Sequence, residues 1–259
     1  MTNPLRLHVG GHQLEYVWLG PAPDQAPTIV FLHEGLGSVS MWRDFPQQVV
    51  EATGYGALVY SRAGYGNSDS IKLPRQVSFM HDEALKALPE VIEKLNLRDV
   101  ILFGHSDGGS IALIYAGSGK ATKVRALILE APHVFVEDLS IESIQLAKDN
   151  YDNGSLRAGL ARYHDDNVDC AFRGWNDIWL SPEFRAWNIE SYLPNIQVPA
   201  LVIQGEEDQY GTHRQVEAIE NQCGGIVKTV DLANCGHSPH RDQTQLVLDS
   251  VTGFLNEIT

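Results

Sequence analysis

The chain has 259 residues, 43% hydrophobic and 20% charged, which is enough apolar material for a substantial core within one compact unit. A formal net charge of −14 opposes binding to phosphate backbones, so nucleic acid is not expected as a partner. Met1–Leu19 has no basic stretch leading into an apolar run, and no segment approaches the ~20 apolar residues of a membrane span. Cys170, Cys223 and Cys235 are far apart and follow no disulfide or metal-ligand spacing, so a reducing, cytoplasmic setting is expected.

In chain order, Leu5–Val9 and Gln13–Leu19 read as a strand pair joined by a turn at Gly10-Gly11. Thr28–His33 and Ala57–Ser61 are continuous apolar runs, as in strands buried on both faces of a parallel sheet. Phe79–Leu95 then reads as a helix, with Ala84, Leu85, Leu88, Val91, Ile92 and Leu95 on one stripe and Pro89 as an interruption. Val100–Gly104 and Ala126–Glu130 are two further buried strands. Between residues 132 and 198 no buried strand is apparent. The segment is polar and aromatic, is punctuated by Asn153-Gly154, Gly174, Pro182 and Pro194, and is too long for a plain loop. It reads as a helical insertion. Ala200–Gly205 and Ile226–Leu232 complete the strands, and Gln245–Ile258 is a closing helix with Leu246, Leu248, Val251 and Leu255 on its apolar face. This alternation predicts an α/β fold with a mostly parallel, doubly wound sheet and antiparallel strands at the N-terminus.

The chemistry concentrates in Gly104-His105-Ser106-Asp107-Gly108, a G-x-S-x-G pattern with a strand before it and the helical run SIALIYAG after it. A strand-to-helix turn this tight needs small residues two places on either side, and it lifts the serine to the start of a helix, where anions are favoured. A serine hydroxyl needs a base to act as a nucleophile. Asp208 follows the strand Ala200–Gly205, and His237 lies between the last strand and the last helix. The order Ser106, Asp208, His237 predicts a triad in which His237 takes the proton and Asp208 orients its ring. His240 competes with His237, and Glu206 and Glu207 compete with Asp208. The loop HEGLGS at 33–38 again leaves a strand, and the backbone N–H groups of Gly35 and Asp107 are the expected oxyanion donors.

HEGLGS, SRAGYGNSD at 61–69, GHSDGG at 104–109, GEED at 205–208 and CGHSPH at 235–240 occur in this order along nearly the whole chain, which therefore resembles the α/β-hydrolase superfamily. Among its members it is similar to small bacterial esterases and to the carbon–carbon bond hydrolases of aromatic degradation. The resemblance implies a core of residues 1–131 and 199–259 with a cap at 132–198. It implies no cofactor and no metal. Three positions depart from the usual pattern: Glu34 stands where glycine commonly follows the loop histidine, Ser61-Arg62 stands where the loop usually begins with Asp, and Asp107 stands where an apolar residue commonly follows the nucleophile. An unpaired carboxylate at position 34 or 107 would oppose negative charge developing nearby. Glu34 is therefore expected to turn away or to pair, with Arg62 as a candidate partner.

Glu34, His133, Trp175, Trp179 and Trp187 are the candidate pocket residues, since aromatic walls suit a small apolar or aromatic group. The expected reaction is hydrolysis of a small carboxylic ester. A lactone or an activated carbon–carbon bond is the alternative substrate, and a non-catalytic ligand-binding protein on the same fold is the alternative from another class. The partner is a small-molecule substrate, and the chain is a monomer or homodimer.

Overall fold

The computed structural model describes residues 4–258. One sheet holds eight strands: β1 (Leu5–Val9), β2 (His12–Leu19), β3 (Thr28–Leu32), β4 (Gly56–Tyr60), β5 (Val100–His105), β6 (Val124–Glu130), β7 (Ala200–Gly205) and β8 (Val227–Leu232). Their spatial order is β1-β2-β4-β3-β5-β6-β7-β8. The pairings β1–β2 and β2–β4 are antiparallel, and all the others are parallel. The helices are α1 (Phe45–Thr53), α2 (Phe79–Asp82), α3 (Leu88–Lys94), α4 (Asp107–Gly117), α5 (Asp138–Asn153), α6 (Leu156–His164), α7 (Val168–Trp179), α8 (Arg214–Gln222), α9 (Pro239–Asp242) and α10 (Thr244–Ile258).

The continuous apolar runs are explained by burial on both sheet faces. Successive strand residues point to opposite sides, so Val30, Leu58, Leu102 and Leu127 join one core while Ile29, Ala57, Ile101 and Ile128 join the other. Residues of α3, α4 and the segment between β6 and β7 fill the first core, and those of α1 and α10 fill the second. The helix expected over Phe79–Leu95 is broken. A π-helical turn, Glu83–Ala87, separates α2 from α3 just ahead of Pro89, a residue with no N–H to donate one turn back. On α10 the buried face is Val247, Leu248, Val251, Phe254 and Leu255. Leu246, expected on that face, is 49% exposed, because the stripe begins one residue later.

Between β6 and β7 the chain forms α5, α6, α7 and short 3-10 turns, with one isolated bridge, Phe135 to Asn188, in place of any further sheet strand. Strand order reverses at β3 and β5: β4 lies on one side of β3 and β5 on the other. The loops leaving these two strands diverge there and open a crevice at the C-terminal edge of the sheet. Among the described residues, no helix is long and apolar enough to cross a membrane.

Candidate active site

β5 runs through His105, and α4 begins at Asp107, so Ser106 alone makes the turn. It does so at φ 53° and ψ −117°, a backbone region that L-residues seldom occupy and that is strained outside functional turns. Close packing enforces the turn. A Cβ at position 108 would collide with the carbonyl oxygen of Leu32, so only glycine lets α4 approach β3 this closely.

Ser106 Oγ donates to His237 Nε2 at 2.9 Å, and His237 Nδ1 donates to both Asp208 oxygens at 2.9 Å. The Asp208 carboxylate also accepts from Gln204 Nε2 at 2.7 Å, from Tyr210 N–H at 2.7 Å and from Gly211 N–H at 3.3 Å. Burial alone would raise its pKa, but His237, the Tyr210 N–H and the nearby His133 outweigh burial and bring it down to about 2. Asp208 is therefore a carboxylate at neutral pH and holds the tautomer that leaves Nε2 free to accept a proton. The competing residues lie elsewhere. His240 bonds Glu130 at 2.6 Å inside the Trp42–Phe45 aromatic cluster, and Glu206 and Glu207 are exposed.

The loop after β3 is held from beneath. Buried Arg62 donates through its guanidinium to the carbonyls of His33, at 2.5 Å, and Glu34, at 3.0 Å. His33 donates from Nδ1 to the Glu34 carbonyl at 2.7 Å and accepts from the Arg62 N–H at Nε2, 3.1 Å. Burial and the nearby Arg62 charge keep the His33 pKa well below its ordinary value, as this neutral tautomer requires. Arg62 thus grips the Glu34 backbone and not its carboxylate, a correction to the pairing expected from sequence. The carboxylate instead lies 2.7 Å from His105 Nδ1, off the ideal N–H direction, and 3.9 Å from Arg241. The physical reason is that the Glu34 side chain leaves the loop on the face toward β5, away from the guanidinium. His105 donates from Nε2 to the carbonyl of His237 at 2.6 Å.

Gly35 and Asp107 both border the cavity beside Ser106, and neither N–H has an acceptor among the described residues. Asp107 opens α4, where the first N–H groups have no carbonyl one turn back. Its side chain is buried; Oδ1 accepts from Trp179 Nε1 at 3.2 Å, while Oδ2 has no partner. Burial raises its pKa, and the opposing pull of Arg62 is smaller.

The cavity above Ser106 measures about 150 Å3. Of the candidate pocket residues, Glu34, His133, Trp175 and Trp179 border it; Trp187 does not. Trp187 stacks on Phe184 at 5.3 Å and packs against Trp179, so it supports the wall from behind. Trp175 and Trp179 are one turn apart on α7 and share a face, whereas Trp187 lies beyond the helix. A Cβ at Gly35 would strike the Trp175 ring, so this wall rests directly on the loop. Burial, with His237 nearby, lowers the His133 pKa to about 4 and leaves it neutral.

Sequence reasoning missed Leu36, His105, Ser140, Ile144, Gln209, Tyr210 and Ser238 as cavity residues. Gln209, Tyr210 and Ser238 were within reach, being adjacent to Asp208 or His237; Ser140 and Ile144 carry no local signal. His164 was also missed as a strut: it donates from Nε2 to the Leu36 carbonyl at 2.8 Å and accepts from the Gly66 N–H at 2.9 Å. Among the described residues, His105, Glu130 and His240 form one group of metal-type side chains, but both histidines commit ring nitrogens to hydrogen bonds.

The sequence model of the alpha/beta hydrolase family matches residues 29–250. A Mycoplasma genitalium protein carrying an esterase/lipase designation is 31% identical over 260 residues, covering 92% of this chain and 95% of the relative. A proline iminopeptidase of Lactobacillus delbrueckii subsp. lactis is 26% identical over 227 residues, covering 73% of this chain and 77% of the relative. In fold, the chain is similar to an esterase from Exiguobacterium antarcticum, with a TM-score of 0.76 at 20% identity over 97% of this chain and 98% of the other.

Proposed function

The chain belongs to the alpha/beta hydrolase family, and from that premise we propose that it is a serine hydrolase cleaving a small carboxylic ester through an acyl-enzyme. The observation that carries this reading is the unbroken relay from Ser106 through His237 to Asp208, which opens onto an aromatic-walled cavity. Ser106 Oγ attacks the ester carbonyl as His237 Nε2 takes its proton. The alkoxide of the tetrahedral intermediate is held by the N–H groups of Gly35 and Asp107, the dipole at the start of α4 adding to the stabilisation. His237 then protonates the leaving alcohol, and a water molecule, activated by the same imidazole, releases the acid. Asp208 keeps the ring oriented and stabilises the imidazolium. Residues 132–198 act as a cap on the core of residues 1–131 and 199–259.

Cavity size supports a small substrate. Pockets for drug-sized ligands span roughly 300–1,000 Å3, and a void of about 150 Å3 accommodates a benzene ring. Trp175, Trp179, Ile144 and Leu36 supply apolar walls, and neutral His133 adds no charge. A series of p-nitrophenyl esters tests the reading. The expected kcat/KM is highest for acetate, butyrate or benzoate and falls at least about tenfold by octanoate, since forcing extra methylenes into a filled cavity costs roughly 1–3 kcal/mol. Preference for octanoate and longer chains, or for proline p-nitroanilide over every ester, would refute it.

A further inference from the structure

We propose that Glu34 and His105 form a charged clamp tying the loop that carries Gly35 to the loop that carries His237, and so act as positioning residues for hydrolysis. The proposal rests on the reading of Ser106 and His237 as the hydrolytic pair. The imidazole of His105 is 1% exposed and spans the gap: Nδ1 meets the Glu34 carboxylate at 2.7 Å, and Nε2 donates to the His237 carbonyl at 2.6 Å. Arg62 fixes the Glu34 backbone from the other side, so the residue preceding Gly35 is held at both its backbone and its side chain.

Two features make the pair ionic. A neutral imidazole carries one N–H, and here both ring nitrogens face oxygen acceptors; only the cation can donate to both. The surroundings favour the same state. Burial opposes charge on His105, but Glu34, with Glu130 beyond it, outweighs burial and raises its pKa. Burial likewise opposes charge on Glu34, and His105, then Arg241 and His240, outweigh it and hold its carboxyl far below the usual carboxylate range. The charged or titratable groups around His105 are therefore Glu34, Arg241 and His240 on α9, Glu130 at the end of β6, His133 beyond it, and His237, whose ring lies 5.3 Å away. The clamp also resolves the departure at position 34: an unpaired carboxylate next to Gly35 would repel the developing alkoxide, and His105 cancels that charge.

Charge and geometry separate in two variants. Glu34→Ala removes the clamp. Glu34→Gln can keep it, since the amide can donate to Nδ1 of a neutral His105 whose Nε2–H still reaches the His237 carbonyl. With p-nitrophenyl acetate, Glu34→Ala is expected to lower kcat at least about tenfold with KM within about twofold, and Glu34→Gln to recover most of that loss. Wild-type kcat should fall at alkaline pH as His105 loses its Nδ1 proton and turns a lone pair toward the carboxylate; Glu34→Gln should lack this limb. Nitrogen-15 NMR of labelled histidine reads the charge directly, with both His105 nitrogens protonated at pH 7.5 in the wild type and only Nε2 in Glu34→Gln. A neutral His105 in the wild type overturns the clamp whatever the kinetics. Wild-type turnover with an unaffected Glu34→Ala overturns the clamp and leaves the hydrolase reading standing. Absence of wild-type turnover of any ester overturns both.

Discussion

Two histidine–carboxylate pairs flank Ser106, and they serve different ends. His237 is 12% exposed and borders the cavity; Asp208 takes one ring nitrogen and Ser106 the other, so a proton can arrive at Nε2 and leave. His105 also borders the cavity but is only 1% exposed, with Nδ1 2.7 Å from the Glu34 carboxylate and Nε2 donating to the His237 carbonyl. The same two residue types allow a movable proton where one nitrogen faces a hydroxyl and a fixed charge where both face a carboxylate or carbonyl oxygen. What separates them is which loop each carboxylate belongs to, and whether the ring bonds the Ser106 hydroxyl.

The largest expected effect is at Asp208. Asp208→Asn puts an amide donor against Nδ1 and favours the tautomer with Nε2 protonated, which cannot take the serine proton. Such a change in a serine triad costs roughly 10^4-fold in kcat, and an ester assay across the variant and wild type checks it. A loss below about tenfold would mean that Asp208 does not set the tautomer.

A smaller effect sharpens the contrast through stability. His105 has a folded-state pKa raised above its ordinary 6.5, so its contribution is complete below that value and is lost as pH rises through the raised one. Glu34 has a folded pKa below its ordinary 4.5, so its contribution is present above that value and is lost as pH falls through the lowered one. Wild type should therefore exceed Glu34→Gln in stability most clearly between pH 4.5 and 6.5. The expected gap is about 1 kcal/mol, the difference between a hydrogen bond to a charged group and a neutral one, or roughly 2–4 °C in Tm. It should narrow at alkaline pH; thermal melts across that range read it, and a gap that widens with pH would have the wrong sign.

The elements nearest the chemistry were the most legible in sequence. Ser106 announces itself because the strand VILFG, the paired glycines and the helix that follows all constrain the same turn, and each is local. Asp208 and His237 were legible through their places after β7 and β8. Contacts between distant segments were not. Nothing near Glu34 in sequence names His105 as its partner, and the choice between Arg62 and His105 depends on which side of the loop the side chain leaves. Trp187 could not be told from Trp175 and Trp179 by composition, since only the helical face shared by the latter two turns to Ser106. Leu246 failed for a similar reason: the apolar stripe of α10 starts one residue further on, and an end-of-helix leucine fits either phase.

A Ser106 hydroxyl activated by His237, as proposed, is open to covalent trapping. Treating the folded protein with a fluorophosphonate and mapping the adduct by peptide mass spectrometry tests it most directly. Stoichiometric modification at Ser106 is expected in the wild type, with at least about a hundredfold slower labelling in His237→Ala, the general base being worth roughly 10^2–10^4-fold. No adduct at Ser106 in folded wild-type protein, or equal labelling rates with and without His237, would contradict it.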